Sequence, residues 1–215
     1  MARHAVLAGA TGLIGSDLLD RLLRDRRYTR ITVLSRRPVA AADERLSVLT
    51  TDFSDLDRHA ADLAADDVYC ALGTTLAKAG SREAFVKVDY GLVMALAQAA
   101  HHAGSRQFLM VSAVGSSPQS PSFYSRTKGR VEQDLRGIGY QALHIFRPSL
   151  LLGERAESRA AEQIAQKLAP ALGLITRGPL SRYRPVAADE VARAMIAVAL
   201  RDQPGVHLHE APFPS

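Results

Sequence analysis

The chain is predicted to belong to the α/β class, as a doubly wound parallel sheet, and three observations lead there. Short apolar runs without strict alternation recur through the first two-thirds of its 215 residues, as expected for strands covered on both faces. Longer stretches with helical spacing separate them. Gly9, Gly12 and Gly15 stand directly behind the first run, in VLAGATGLIGS. Strand and helix in alternation require right-handed crossovers and so a parallel sheet.

In chain order the strands are HAVLA (4–8), ITVLS (31–35), LSVLT (46–50), DVYCA (67–71), QFLMVS (107–112) and ALHIF (142–146). The first helix is IGSDLLDRLLRD, with leucines at 18, 19, 22 and 23. A second, over 81–104, opens on a Ser81 cap and stops at Gly104, and a third ends at Gly137. After RPS at 147–149 the rhythm changes. Helical patterns at 157–169 and 187–201 flank the proline- and glycine-marked GPLSRYRPV, and a last β-like run, GVHLHE, follows. Residues 1–215 read as one domain, with about 150–215 contributing a small C-terminal substrate lobe woven partly back onto the sheet.

The net charge is +5, and with only four lysines the basic character is almost all arginine. Arg21, Arg24, Arg26, Arg27, Arg30, Arg36 and Arg37 cluster, yet no aromatic interleaving or zinc-finger spacing accompanies them, so nucleic acid is not the expected partner. The single cysteine, Cys70, excludes an intrachain disulfide and sits in an apolar run, where a small buried side chain is the default. No apolar stretch approaches the ~18 residues of a membrane span. Glycines interrupt the apolar segment behind Arg3 and Asp17 follows at once, which is unlike a secretion signal; the expected location is the cytoplasm.

The three glycines have separate physical reasons. Gly9 permits a sharp turn, Gly12 admits a pyrophosphate close to the backbone, and Gly15 lets the helix approach the strand. The helix N-terminus then offers unpaired N–H groups and partial positive charge to phosphates. In strand–turn–helix context at the chain start, the cofactor phosphate loop of a Rossmann-type sheet is expected over a ligand-free glycine turn. An NAD site usually ends its second strand on a carboxylate that accepts from the ribose 2′-hydroxyl. Here that end reads LSRRP, and Arg36 and Arg37 suit a 2′-phosphate instead, so NADP(H) is expected over NAD(H). Asp52 and Phe53, in TDF after the third strand, are placed beside the adenine.

Tyr124 and Lys128 stand four residues apart, on one helix face. With six tyrosines and four lysines, chance predicts on the order of 0.1 such pairs in the chain. A nearby ammonium favours phenolate, which equips the tyrosine to exchange a proton with a carbonyl or alcohol oxygen while the lysine holds the nicotinamide ribose.

GATGLIG, YSRTK and RPS together resemble the short-chain dehydrogenase/reductase superfamily in its extended or atypical branch, over about residues 4–200. CALGTTLAKAGSREAFVKVDY and FRPSLLLGERAESR are similar to the Tat-interacting-protein group of its atypical members. The resemblance implies Gly9, Thr11, Gly12, Leu13, Ile14 and Gly15 at the pyrophosphate, and Arg36 and Arg37 at the adenosine phosphate. It also implies Leu72 and Gly73 beside the cofactor, Tyr124 and Lys128 as the catalytic pair, and Pro148 near the nicotinamide. The superfamily usually adds a serine late in the fifth-strand motif. In VSAVGSS the alignment puts Ala113 there, leaving Ser112 as the candidate, with Ser116 or Ser117 as substitutes from the loop. A missing oxyanion donor can cost about 10²–10³ in rate, so a weak enzyme or a cofactor-dependent regulatory protein is the alternative reading.

Arg155 and Arg159, in GERAESR, are candidates for the substrate mouth or for ion pairs at a helix start. His207 and His209 alternate on the last strand without an evident third ligand, so no metal site is expected. The partner expected is a small-molecule substrate; a homodimer or a protein partner remains open, with the long helices over 81–104 and 123–137 as pairing faces.

Overall fold

The computed structural model describes residues 2–39, 43–152 and 182–214. The strands are β1 (Arg3–Ala8), β2 (Tyr28–Ser35), β3 (Leu46–Thr50), β4 (Asp67–Cys70), β5 (Gln107–Val111), β6 (Ala142–Arg147), β7 (Leu151–Leu152), β8 (Val186–Ala187) and β9 (Gly205–Glu210). Seven of them form one parallel sheet in the order β3-β2-β1-β4-β5-β6-β9. The order reverses between β1 and β4, where an α/β sheet opens a crevice at its carboxyl edge.

Alternation along each strand sends side chains to two helical layers. Ala5 and Leu7 of β1, Tyr69, Leu109 and Phe146 face α1 (Leu13–Arg24) and the last helix, Ala188–Ala199. Val6, Ala8, Val68, Cys70, Met110 and Ile145 face the other layer, built by α5 (Val93–His102) and α6 (Phe123–Arg136). Both faces are therefore dry, which is why the runs read as apolar without alternation. At the sheet's amino edge, fully buried Asp67 takes Arg3 at 2.7 Å and the Tyr28 hydroxyl at 2.7 Å, fastening β1, β2 and β4 together.

Before α5 come α2 (Ala60–Leu63), α3 (Leu76–Ala79) and α4 (Arg82–Val86), the first two too short to leave a periodic signal. The helix expected as one piece over 81–104 is not uniform. Ser81 does cap it, accepting from Ala84 N–H at 3.0 Å, but Lys87–Leu92 winds as a π-helix between α4 and α5. Gly104, at φ +91°, ends it in a conformation that favours glycine. The last helix becomes α7, Ala188–Ala199, close to its expected bounds. GVHLHE forms β9 and pairs in parallel with β6, His144 opposite His207. The two-residue strands β7 and β8 pair with each other and were not expected; runs so short carry no period. The helical pattern at 157–169 lies outside the described residues.

Candidate active site

The turn from β1 into α1 is built by glycines, two of which, Gly9 and Gly15, leave no room for a side chain. Gly9 has φ +91°, and a Cβ there would fall 2.5 Å from the carbonyl oxygen of Ala71, at the end of β4. A Cβ on Gly15 would fall 2.0 Å from the Gly9 carbonyl oxygen. Gly12 caps α1 without a side chain, its N–H donating to Gly9 O at 2.9 Å. The first intrahelical bond runs from Ser16 N–H to Gly12 O, so the N–H groups of Leu13, Ile14 and Gly15 precede the ladder. No acid stands in that first turn to neutralise its positive end.

Gly9 and Gly12 floor a crevice of about 290 Å³ that Thr11, Arg36, Arg37, Phe53, Leu72 and Gly73 also line. A concave, backbone-lined space ahead of a helix N-terminus fits a dinucleotide diphosphate. Leu13, Ile14 and Gly15 do not line it: Ile14 is buried in the core and Leu13 packs against it, so what they offer a phosphate is the N–H groups ahead of the helix ladder. Phe53 reaches the crevice at a φ of +70°, a strained conformation for a bulky residue. Asp52 does not line it. Its carboxylate accepts from the hydroxyl of Ser54 at 2.6 Å and from Ser54 N–H at 2.9 Å, bonds that hold its pKa below the usual carboxylate value. It shapes its own turn, a local contact that the sequence reading overlooked.

Four of the seven clustered arginines are paired. Arg21 meets Asp189, Arg24 meets Asp20, Arg27 meets Asp25 and Arg30 meets Asp62. Arg36 and Arg37 are exposed at the crevice rim and make no ion pair among the described residues.

Across the crevice, α6 carries Tyr124 and Lys128 inward. Ser122 caps it, and Gly129 lets it press on the loop before it: a Cβ at 129 would fall 2.1 Å from the Ser117 carbonyl carbon. The Tyr124 ring packs on Phe85 of α4, centroids 5.5 Å apart. Lys128 is buried with its ammonium 2.8 Å from Asp89 of the π turn. Burial opposes its charge, but Asp89 and then Tyr124 outweigh that and hold its pKa above the ordinary lysine value. A Cβ on Gly73 would lie 3.6 Å from Lys128 Nζ, so the crevice and the Tyr124–Lys128 face are contiguous.

Ser112, the candidate third catalytic group, is committed elsewhere. It is buried and donates its hydroxyl to Glu132 of α6, which Arg147 clamps at 3.0 and 2.5 Å. One strand position displaces the side chain to the opposite face, and that face meets α6. Ser116 is buried and donates to the Ala113 carbonyl at 2.7 Å, while the exposed hydroxyl of Ser117 bonds Gln119 at 3.0 Å. Pro148 is buried at the exit of β6, its carbonyl accepting from Val114 N–H at 2.9 Å. Burial pushes the Cys70 thiol up to about 11, consistent with an inert side chain. Arg155 and Arg159 lie outside the described residues. His207 and His209 do meet a third histidine, His144 of β6, but as stacked rings with centroids 4.9 and 5.4 Å from it.

Asp89 and Glu132 were missed from the sequence. The signal for Glu132 was available: it follows Lys128 by four residues on the same helix face. Asp89, an acid inside FVKVDYGLVM, was legible only as an anomaly in an apolar helix.

Residues 5–209 match the model of the NAD dependent epimerase/dehydratase family. A protein named Fmp52, mitochondrial, from Aspergillus fumigatus is 36% identical over 205 residues, covering 92% of this chain and 87% of that protein. Its namesake in Candida albicans is 35% identical over 200 residues, covering 90% and 86%. Among solved structures, a UDP-N-acetylglucosamine 4-epimerase from Methanobrevibacter ruminantium, in complex with UDP-N-acetylmuramic acid, superposes with a TM-score of 0.71 at 17% identity, over 97% of this chain and 76% of that one. The enzyme WbmH of Bordetella bronchiseptica, in complex with NAD+, gives 0.71 at 16% identity, over 98% and 76%. At that identity the likeness speaks for the fold. The mitochondrial names overturn the cytoplasmic expectation. That expectation rested on the lack of an apolar secretion signal, and mitochondrial import reads amphipathic, arginine-rich segments instead.

Proposed function

The chain belongs to the NAD dependent epimerase/dehydratase family, with an NAD(P)-binding fold of the extended short-chain dehydrogenase kind, and from that premise we propose an NADP(H)-dependent oxidoreductase acting on a small carbonyl or alcohol. The observation that carries the reading is the contiguity of the glycine-floored crevice with Lys128 and Tyr124 across Gly73. A bound nicotinamide cofactor would supply the hydride. The chain's own residues do the rest. The α1 N-terminus and Gly12 hold the diphosphate, and Arg36 and Arg37 meet a 2′-phosphate with two guanidiniums that no acid among the described residues occupies. Lys128 orients the nicotinamide ribose, and the Tyr124 hydroxyl gives its proton to the carbonyl oxygen or takes it from the alcohol.

Calorimetry with NADPH and NADH, together with NADPH oxidation over a panel of aldehydes and ketones, tests this. Tighter NADPH binding and turnover that Tyr124→Phe abolishes without loss of NADPH binding are expected. Tighter NADH binding, or turnover unchanged by Tyr124→Phe, refutes the proposal. The commitment of Ser112 to Glu132 favours one second reading, a cofactor-dependent regulatory protein with little turnover. Tight NADPH binding with no oxidation across the panel selects it.

A further inference from the structure

Lys128 does not face the crevice as a free cation. Its side chain is 4% exposed, and the Asp89 carboxylate it meets at 2.8 Å is fully buried. The other oxygen of that carboxylate accepts the backbone N–H of Thr74 at 2.8 Å. Asp89 is thus held by the loop leaving β4, and Lys128 is held by Asp89.

The helix is deformed where this happens. Lys87–Leu92 is a π turn with α-helix on both sides. A π turn sacrifices regular packing and occurs mostly where a side chain must be re-aimed for function. Two side chains of this turn reach α6: Asp89 meets Lys128, and the Tyr90 hydroxyl donates to Asp134 at 2.7 Å. A buried ion pair seldom stabilises a fold more than apolar residues of equal volume would, so stability alone is a poor reason for either feature.

The electrostatic consequence follows from distance. A lone ammonium beside a phenol oxygen favours the phenolate. A carboxylate in contact with that ammonium cancels a large part of this. The titratable groups acting on Lys128 are Asp89 from the π turn, Tyr124 from its own helix and Cys70 from β4, the last kept neutral by burial.

We propose that Asp89 is a positioning residue that anchors the Lys128 ammonium between Gly73 and Tyr124 and offsets part of its charge, so that the Lys128–Asp89 pair, rather than Lys128 alone, sets the acidity of Tyr124. The proposal rests on the reading of Tyr124 and Lys128 as the reacting pair.

Near-ultraviolet titration of the unliganded full chain tests it, each variant being compared with the same variant carrying Tyr124→Phe, so that only the Tyr124 phenol is read. Asp89→Asn should raise the acidity constant of Tyr124 by about tenfold or more: burial works against the unpaired ammonium, but the phenolate forming beside it keeps it charged, and no carboxylate then offsets it. An unchanged midpoint in folded Asp89→Asn overturns the proposal, since a merely structural carboxylate would not move it. Should Asp89→Asn fail to fold, Lys128→Met is compared with Lys128→Met combined with Asp89→Asn. The single variant leaves a buried carboxylate and should weaken Tyr124 as an acid, and the double variant should return it towards wild type. Equal midpoints in those two overturn the proposal. Calorimetry of the wild type with NADPH runs beside these titrations: failure to bind refutes the cofactor reading, while the Tyr124 midpoint independently judges the pair.

Discussion

Ser112 and Glu132 are joined by a buried hydrogen bond, with the Ser112 hydroxyl donating to a carboxylate that Arg147 also clamps. The bond ties the end of β5 to α6 and thereby fixes the helix that carries Tyr124 and Lys128. Ser112→Ala should lower stability by about 1–3 kcal/mol, the usual cost of leaving a buried polar group short of a partner. NADPH affinity should stay within about twofold, because the hydroxyl faces α6 rather than the crevice. Urea unfolding and calorimetry on the same variant check both halves.

Arg36 and Arg37 present two guanidiniums at the crevice rim that make no ion pair among the described residues. Replacing both with alanine should weaken NADPH binding by about tenfold to a hundredfold, given roughly 1.5–3 kcal/mol for one hydrogen bond to a charged group. NADH affinity should hardly change. Equal losses for the two cofactors would assign these arginines to the shared diphosphate or adenosine instead.

Gly15→Ala places a methyl group against backbone that has no room to yield, 2.0 Å from the Gly9 carbonyl oxygen. Overpacking commonly costs about 1–3 kcal/mol, and a backbone obstacle puts this variant at the upper end or beyond. Gly129→Ala meets the Ser117 backbone at 2.1 Å and should behave alike. Gly139→Ala is a useful contrast: open space surrounds it, but its φ of +92° is strained for alanine, so its loss comes from the backbone alone. Denaturant midpoints for the three variants separate close packing from conformational strain.

Stability should fall in acid because of the histidine stack on β6 and β9. Burial, and then the neighbouring histidines, lower His144 to about 3; burial and then His207 lower His209 to about 4. An unfolded histidine titrates near about 6.5. As pH drops below that value the unfolded chain binds protons that the folded chain refuses, until the folded groups titrate near about 3 to 4. Stability is therefore full above about 6.5 and is lost downward from there, each such histidine contributing at most about 1.4 kcal/mol per pH unit. His4, also held low chiefly by burial, adds to the slope. Urea midpoints followed from about pH 7.5 to about 4.5 should show a shallower decline for His144→Leu than for the wild type.

Much of the fold was legible because its signals are local. The apolar runs became strands within a few residues of their expected bounds, and Ser81, Gly104 and Gly137 stand at the helix ends expected of them. Gly9, Gly12 and Gly15 were readable for the same reason, since each answers a constraint within one turn. Asp52 failed this test in reverse: a bond to its neighbour Ser54 claimed the carboxylate that had been assigned to a distant adenosine.

The sequence by itself determined the strand–helix order, the glycine turn and the Tyr124–Lys128 spacing, because period and turn chemistry are written along the chain. Only the tertiary structure decided which charged groups remain available. It paired Lys128 with Asp89 and Glu132 with Arg147, bound Ser112 to that second pair, and gave Arg36 and Arg37 no acid among the described residues. Such partners lie on different helices and strands. Coulomb energy and hydrogen bonding depend on separation in space and on burial, and neither can be counted in residues along the chain.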